Sequence, residues 1–186
     1  MTNLTKAKAA AILGKHVSQE HLILHAKSVS AAMGAMALYF GEDKEHWEAV
    51  GYLHDVDYEK FPKEHCQHVR ELLADEAVAE EDIRAIISHG YGLCTQEVPP
   101  LSNMEKSLFT VDELTGIVMA SALMRPSGIA DMDLKSLKKK FKDKRLAAKC
   151  SREVIASGFE LLGLTPDVVM QCCIDGMREH KAELGI

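Results

Sequence analysis

Aromatic residues are scarce in this 186-residue chain, at 5%, and nowhere do 18 apolar residues follow one another. The second lack removes the ordinary signature of a membrane-spanning helix. At the N-terminus, MTNLTKAKAAAILGKH carries basic residues, but its apolar part is short and Lys15 and His16 follow at once. It reads as a first helix, not a leader. The five cysteines, at 66, 94, 150, 172 and 173, are odd in number and show no C-x-x-C spacing. That argues against a disulfide framework or a zinc knuckle and for a reducing, cytoplasmic setting. Runs alternating between apolar and polar residues, the mark of half-buried strands, are absent. So are G-x-S-x-G, the Walker A loop and the glycine pattern of dinucleotide-binding folds, and nothing suggests a covalent serine or cysteine mechanism. A net charge of −6 gives no general attraction to nucleic acid.

What is present is helix-forming composition. Hydrophobic residues make up 47% and charged residues 27%, with Ala, Leu, Met, Lys and Glu abundant. Apolar residues recur at spacings of three and four almost throughout, predicting about eight helices, no significant sheet and one all-α domain over 1–186. Ser18 is placed to cap a helix over 19–40 that Gly41 ends, and a second runs over about 44–54. Pro62 suits the first turn of a third, about 62–75. Glu80, Glu81 and Asp82 open a fourth that stops at Gly90. SNME at 102–105 has the form of a capping box opening a long helix to about 124, which RPSG at 125–128 breaks. Thr165-Pro166 opens the last helix.

Several polar side chains fall on the apolar faces of these helices. His25 shares a face with Leu22, Val29, Ala32 and Met36. Asp112 shares one with Leu108, Thr115 and Met119, and a buried carboxylate is costly unless paired or metal-bound. His54 and Asp55 stand together at the end of the apolar run GYLHD, and His89 ends the helix that begins near residue 80. His65 and His68 lie between, with no pattern that strongly separates them. Singly, each has a plain explanation: a core histidine bonded to a neighbour, a salt bridge, a helix-dipole contact, a solvated surface residue. Together, His25, His54, Asp55, His65, His89 and Asp112 form a nitrogen and oxygen donor set suited to zinc, iron, manganese or nickel. The absence of cysteine from the set argues against a structural zinc site.

A histidine, an adjacent His-Asp pair some 30 residues on, and a distant Asp on a helical chain resemble the HD superfamily of metal-dependent phosphohydrolases. The stretches HDVDYEKFPKEHC, ISHGYG, EKSLFTVDELTG and RPSGI look like those of one small group of HD hydrolases. The resemblance implies an HD-domain helical bundle with a metal-binding core over about 19–124 and C-terminal helices, about 131–184, packed on it. It implies that His25, His54, Asp55 and Asp112 bind one divalent ion (Mn, Fe, Ni, Zn, Co or Mg). Members with a second ion add two histidines, whose places His65 and His89 fit, with Asp55 as the bridge. This set is similar to that of HD enzymes cleaving diadenosine tetraphosphate. The chain departs from many relatives in reading HDVDY where they read His-Asp-x-Gly-Lys, and Lys60 is the candidate to replace the missing lysine.

The resemblance implies hydrolysis of a small phosphorylated molecule, a nucleotide or dinucleoside polyphosphate, by metal-activated water. Asp55, Asp57 and Lys60 are the catalytic candidates, with Glu59 a further acid near the pair. Thr115 and Gly116, one turn beyond Asp112, are candidates for substrate contact. So are Arg125 and Lys139, the latter in the basic run KSLKKKFKDKRLAAK at 135–149, which is equally read as an amphipathic helix with a solvated lysine face. Arg125 lies 13 residues beyond Asp112, about 20 Å along a straight helix, which favours anchoring the next loop over touching the same phosphate. No membrane or nucleic-acid partner is expected, and a homo-oligomer is compatible with the sequence. Two other classes remain: a di-iron protein that activates oxygen, and a non-catalytic HD sensor of metal and nucleotide.

Overall fold

The computed structural model describes residues 4–186. Ten helices follow one another: α1 (Lys6–Leu13), α2 (Glu20–Phe40), α3 (Lys44–Leu53), α4 (Val69–Leu73), α5 (Glu80–Ser88), α6 (Asn103–Leu123), α7 (Leu134–Lys142), α8 (Arg152–Leu162), α9 (Pro166–Glu179) and α10 (Lys181–Leu184). The only β-type pairing among the described residues is an isolated bridge between Tyr91 and Thr95. The fold is all-α, as the periodicity predicts.

α2 is the central rod, packed by α3, α6 and α9, with α8 on α6 and α1 on α3. Val29, Ala32, Met33 and Met36 of α2 meet Leu53, Ile86, Leu108, Leu114 and Ile117, all fully buried. Among the described helices only α2 is long and apolar enough to cross a membrane, and more than half of its apolar window is buried inside the protein. Local signals fix the helix ends. Gly41 adopts φ 73° at the end of α2, a left-handed value that glycine takes without strain. Asp43 accepts from the His46 amide at 3.1 Å to start α3. Ser102 and Glu105 form the expected capping box at the start of α6.

Three local expectations differ from the structure. Ser18 does not cap α2 with its own side chain. Instead the Glu59 carboxylate accepts from the amides of Ser18 and Gln19 at 2.8 and 3.0 Å and from the Ser18 hydroxyl at 2.8 Å. The loop after the His-Asp pair is thereby tied to the first turn of α2. The expected helix over 62–75 shrinks to Val69–Leu73, because Cys66 takes φ 68° and residues 54–68 run as successive turns. A residue in that conformation cannot continue a right-handed helix. The basic run forms a helix only to Lys142, after which the chain curls.

The approach of α3 to α2 decides where the His-Asp pair lands. A Cβ on Gly51 would sit 2.9 Å from Met33 Cγ and 3.1 Å from Ser30 Cα, so any side chain there forces the two helices apart. Gly51→Ala should therefore lower stability by about 1–3 kcal/mol, read in a urea or thermal melt. It should also weaken divalent-metal binding, because His54 lies one turn beyond. Wild-type stability and metal affinity in this variant would contradict the packing argument.

Candidate metal centre

Six donor side chains converge from four helices and one loop. His25 comes from the first half of α2, His54 from the C-cap of α3 with Asp55 next to it, His65 from the turns after them, His89 from the C-cap of α5, and Asp112 from the middle of α6. His25 Nε2 is 2.9 Å from Asp112 Oδ1 and 3.2 Å from His54 Nε2, and His54 Nε2 is 3.4 Å from Asp112 Oδ1. His65 Nε2 and His89 Nε2 are 3.0 Å apart. Asp55 stands between the two groups. Its Oδ1 is 3.3 Å from His54 Nε2, 3.2 Å from His65 Nε2 and 3.4 Å from His89 Nε2, and its Oδ2 is 3.6 Å from His25 Nε2. Donors at about 2.1 Å from an ion lie about 3.0 Å apart in an octahedron and about 3.4 Å apart in a tetrahedron. The observed separations of 2.9–3.6 Å are those of coordination-shell edges, and the donor set fits a divalent cation.

The backs of the histidines are held. His54 Nδ1 donates to the Gly51 carbonyl at 2.7 Å and His89 Nδ1 to the Ile86 carbonyl. A carbonyl only accepts, so each Nδ1 carries the proton and the Nε2 lone pair of the neutral ring faces the centre. His65 Nδ1 meets Asp57 Oδ1 at 2.8 Å. Asp57 is fully buried, and its other oxygen accepts from the His68 amide at 3.2 Å. A carboxylate behind a ligand histidine fixes the ring and raises its basicity.

In the absence of a cation the carboxylates and imidazoles answer one another. Burial disfavours charge on His54, yet Asp55 and Asp112 beside it raise it to about 9. Burial pushes Asp112 up, but His25 and His54 outweigh it and hold the carboxyl well below the usual carboxylate range. Asp55 is likewise lowered despite burial, with His54 the chief cause. Beside the second group lies Cys66, its Sγ 4.0 Å from both ring nitrogens of His89. Burial opposes ionisation of that thiol, but His89 and His65 bring it down to about 6.

A cavity of about 440 Å³ opens over the donors, walled by Leu22, Tyr58, Leu93, Glu113 and Lys149. A larger groove of about 740 Å³ lies between α7 and α9, but it is lined by lysines and holds none of the donors. All six expected ligands are together. His68 is not among them: its ring faces Glu64 and Glu71 at 3.1 and 3.0 Å. Other expected residues stand elsewhere. Asp57 is behind His65, not in the cavity. Lys60 Nζ is 2.9 Å from His16 Nδ1. Lys139 lines the α7–α9 groove. Arg125 clasps Asp131 at 2.6 Å and Ser136 at 2.9 Å, anchoring the turn after α6. The Thr115 hydroxyl donates to the Asp112 carbonyl at 2.8 Å, and Gly116 is at the cavity rim. Sequence reasoning missed Cys66, Glu113, Lys149 and the supporting role of Asp57. For Glu113 and Asp57 the available signal was proximity to an expected ligand; for Lys149 there was none beyond membership of the basic run.

Residues 22–113 match the HD domain family, a span that contains all six donors. The match is to a family whose members are typically metal-dependent phosphohydrolases. No curated protein and no solved structure matches the chain.

Two outcomes test the centre. Asp57→Asn should lower metal affinity about 10–100-fold with the helical spectrum unchanged, measured by competition with a chromophoric chelator; undiminished affinity would contradict the support of His65. The second concerns pH. The stability that the raised His54 contributes is complete below its ordinary value of 6.5 and is lost as pH rises through about 9. That of the lowered Asp55 and Asp112 is lost only under acid conditions. A divalent cation must displace the histidine protons. The rise in Tm on adding metal should therefore grow between about pH 6 and about pH 9, and a pH-independent rise would contradict it.

Proposed function

We propose that this protein is a divalent-metal-dependent phosphohydrolase acting on a small phosphorylated molecule, with nucleotides and dinucleoside polyphosphates the first class to test. The observation that carries the reading is the position of Asp55. Its carboxylate lies within 3.6 Å of four inward-facing imidazoles, beneath an open cavity. His25, His54, Asp55 and Asp112 would hold one ion, and His65 and His89, sharing Asp55, a second. Four imidazoles favour manganese, iron, cobalt, nickel or zinc over magnesium. When bound, such ions supply Lewis acidity and a water ionised near neutral pH.

The remaining work falls to the chain. Tyr58, edge-on to His65 with ring centres 5.1 Å apart, and Leu93 narrow the mouth and shed water from it. Glu113 reaches the same cavity. One of its oxygens accepts from the Ser151 amide at 3.0 Å, and burial, then Asp112, raises its carboxyl above the ordinary range. A carboxyl on the cavity wall whose pKa is shifted upward is the candidate to hand a proton to a leaving oxygen. Asp57, expected as an acid or base, has its oxygens engaged by His65 and the His68 amide and acts as a positioning residue instead. A cavity of about 440 Å³ suits a ligand of small-molecule size. Five free cysteines accord with a reducing, cytoplasmic setting.

The donor set also suits an iron pair that activates oxygen, the second reading. Phosphate release and oxygen consumption separate the two. Wild-type protein loaded with manganese, cobalt, nickel or zinc should release phosphate from members of a nucleotide panel, or nucleotides from members of a dinucleoside polyphosphate panel. Asp55→Ala should lower that rate about a thousandfold or more while its far-UV spectrum stays helical. Retained activity in Asp55→Ala, or oxygen uptake with neither phosphate nor nucleotide release by the iron-loaded wild type, would overturn the hydrolase reading.

A further inference from the structure

The basic run has no part in the chemistry described so far, and its charge is far out of proportion. Residues 135–149 hold eight Lys or Arg and one acid, a net +7, so the rest of the chain carries −13 of a total of −6. Its first half is α7, whose lysines face the groove against α9, where Lys138 pairs with Asp167 at 2.7 Å. Its second half leaves the helix and goes somewhere else. Residues 143–150 curl around the guanidinium of Arg152, which donates to the carbonyls of Asp143, Leu146, Ala147 and Cys150 at 3.1, 2.5, 2.7 and 3.0 Å, and to that of Phe141 at 3.3 Å. Five carbonyls on one side chain fix the backbone of a loop that has no regular structure of its own, while Lys144, Arg145 and Lys149 project outward.

This loop is seated on the metal-bearing helix. Ser151, at its end, donates its amide to Glu113, the neighbour of Asp112. A Cβ on Gly116 would lie 2.6 Å from Cys150 Sγ, so the Cys150 thiol packs against α6 one turn beyond Asp112 in the space that residue 116 leaves open. Cys150 and Lys149 thereby become wall of the cavity over the donors. Asp55, Asp112 and Glu113 are the acids of that wall, and Lys149 is its only Lys or Arg among the described residues.

We propose that the curl of residues 143–150 is an anion cradle, with Lys149 as its contact residue, for a second anionic group of the substrate, distant from the phosphorus held at the metal centre. The inference rests on the phosphohydrolase reading and narrows its substrate class. The substrate is a phosphate ester or anhydride carrying another phosphate or carboxylate several bonds from the one that reacts. A monoanionic phosphate ester leaves Lys149 without a partner. A substrate that reaches it gains a charge-assisted hydrogen bond on a loop already held in place, so little ordering is lost on binding. The +7 segment also draws such anions to this mouth of an otherwise acidic protein.

The test uses phosphonates, which cannot be hydrolysed. Alkylphosphonates and α,ω-alkanediphosphonates of about three to eight carbons are titrated by calorimetry into the metal-loaded full chain, the range of lengths covering the span from metal to Lys149. One or more diphosphonates should bind wild type about tenfold tighter than the monophosphonate of equal length. Lys149→Ala should abolish that gain, Lys149→Arg should keep most of it, and Lys135→Ala, an equal loss of charge on the α7–α9 groove, should leave it intact. Gly116→Ala, which pushes Cys150 outward, should reduce it without removing a charge. Absence of the gain at every length overturns the cradle, and so does an equal loss in Lys135→Ala, since either leaves only general attraction. Failure of the phosphohydrolase reading shows separately, as monophosphonate binding that does not require the metal.

Discussion

The carboxylate of Asp55 is the constraint around which this molecule is arranged. An ionised carboxyl withdrawn from water costs several kcal/mol, and here it is withdrawn together with Asp112 into a space shared with four imidazoles. Uncharged rings would not repay that cost. Protonated rings do so in part, which is why His54 is raised and Asp55 and Asp112 are lowered. A divalent cation does so more completely, because one ion answers several donors at once. Nδ1 of His54 and of His89 is committed to a backbone carbonyl behind it and that of His65 to a buried carboxylate. The Nε2 atoms of these rings are left facing Asp55 and bond no backbone group of the fold.

The architecture serves that convergence. Helix α2 contributes His25 and is also the rod on which α3, α6 and α9 pack. The absence of a side chain at Gly51 brings the end of α3, with His54 and Asp55, onto it. The segment after the pair then gives up helical structure. Its turns send Glu59 back to the start of α2 and Asp57 behind His65, so the loop bearing the third histidine is tied at both ends. The buried ion pair of His46 and Asp82, at 2.6 Å, links α3 to α5 and so sets the distance between the helices that end in His54 and His89.

Much of this was legible in the sequence, and the limits have physical causes. Helix α6 announces itself because Ser102 and Glu105 satisfy each other's backbone groups locally, and α2 because glycine at 41 ends it. Five of the six donors are legible as polar residues on an apolar face or at a helix end, and His65 through the order of ligands that resembles the HD superfamily. The helix expected at 62–75 is shorter in the structure because periodicity cannot report that Cys66 sits in the left-handed region. Within the basic run, an amphipathic helix reading does not single out Lys149, because the helix ends at Lys142. The curl around Arg152 depends on carbonyls spread over ten residues, which no local pattern encodes. Asp57 is an acid-or-base candidate by sequence and a support of His65 by structure, since nearness to the His-Asp pair says nothing about which side of His65 a carboxylate occupies.

The account turns on Asp55 being shared between two sets of donors, His25, His54 and Asp112 on one side and His65 and His89 on the other. Metal content per chain, measured by mass spectrometry after saturation and desalting, tests this directly in the wild type and in a His65→Ala, His89→Ala double variant. Two ions in the wild type and one in the variant are expected, because removing one set leaves the other intact. One ion in both proteins, or none in the variant, would contradict the shared carboxylate.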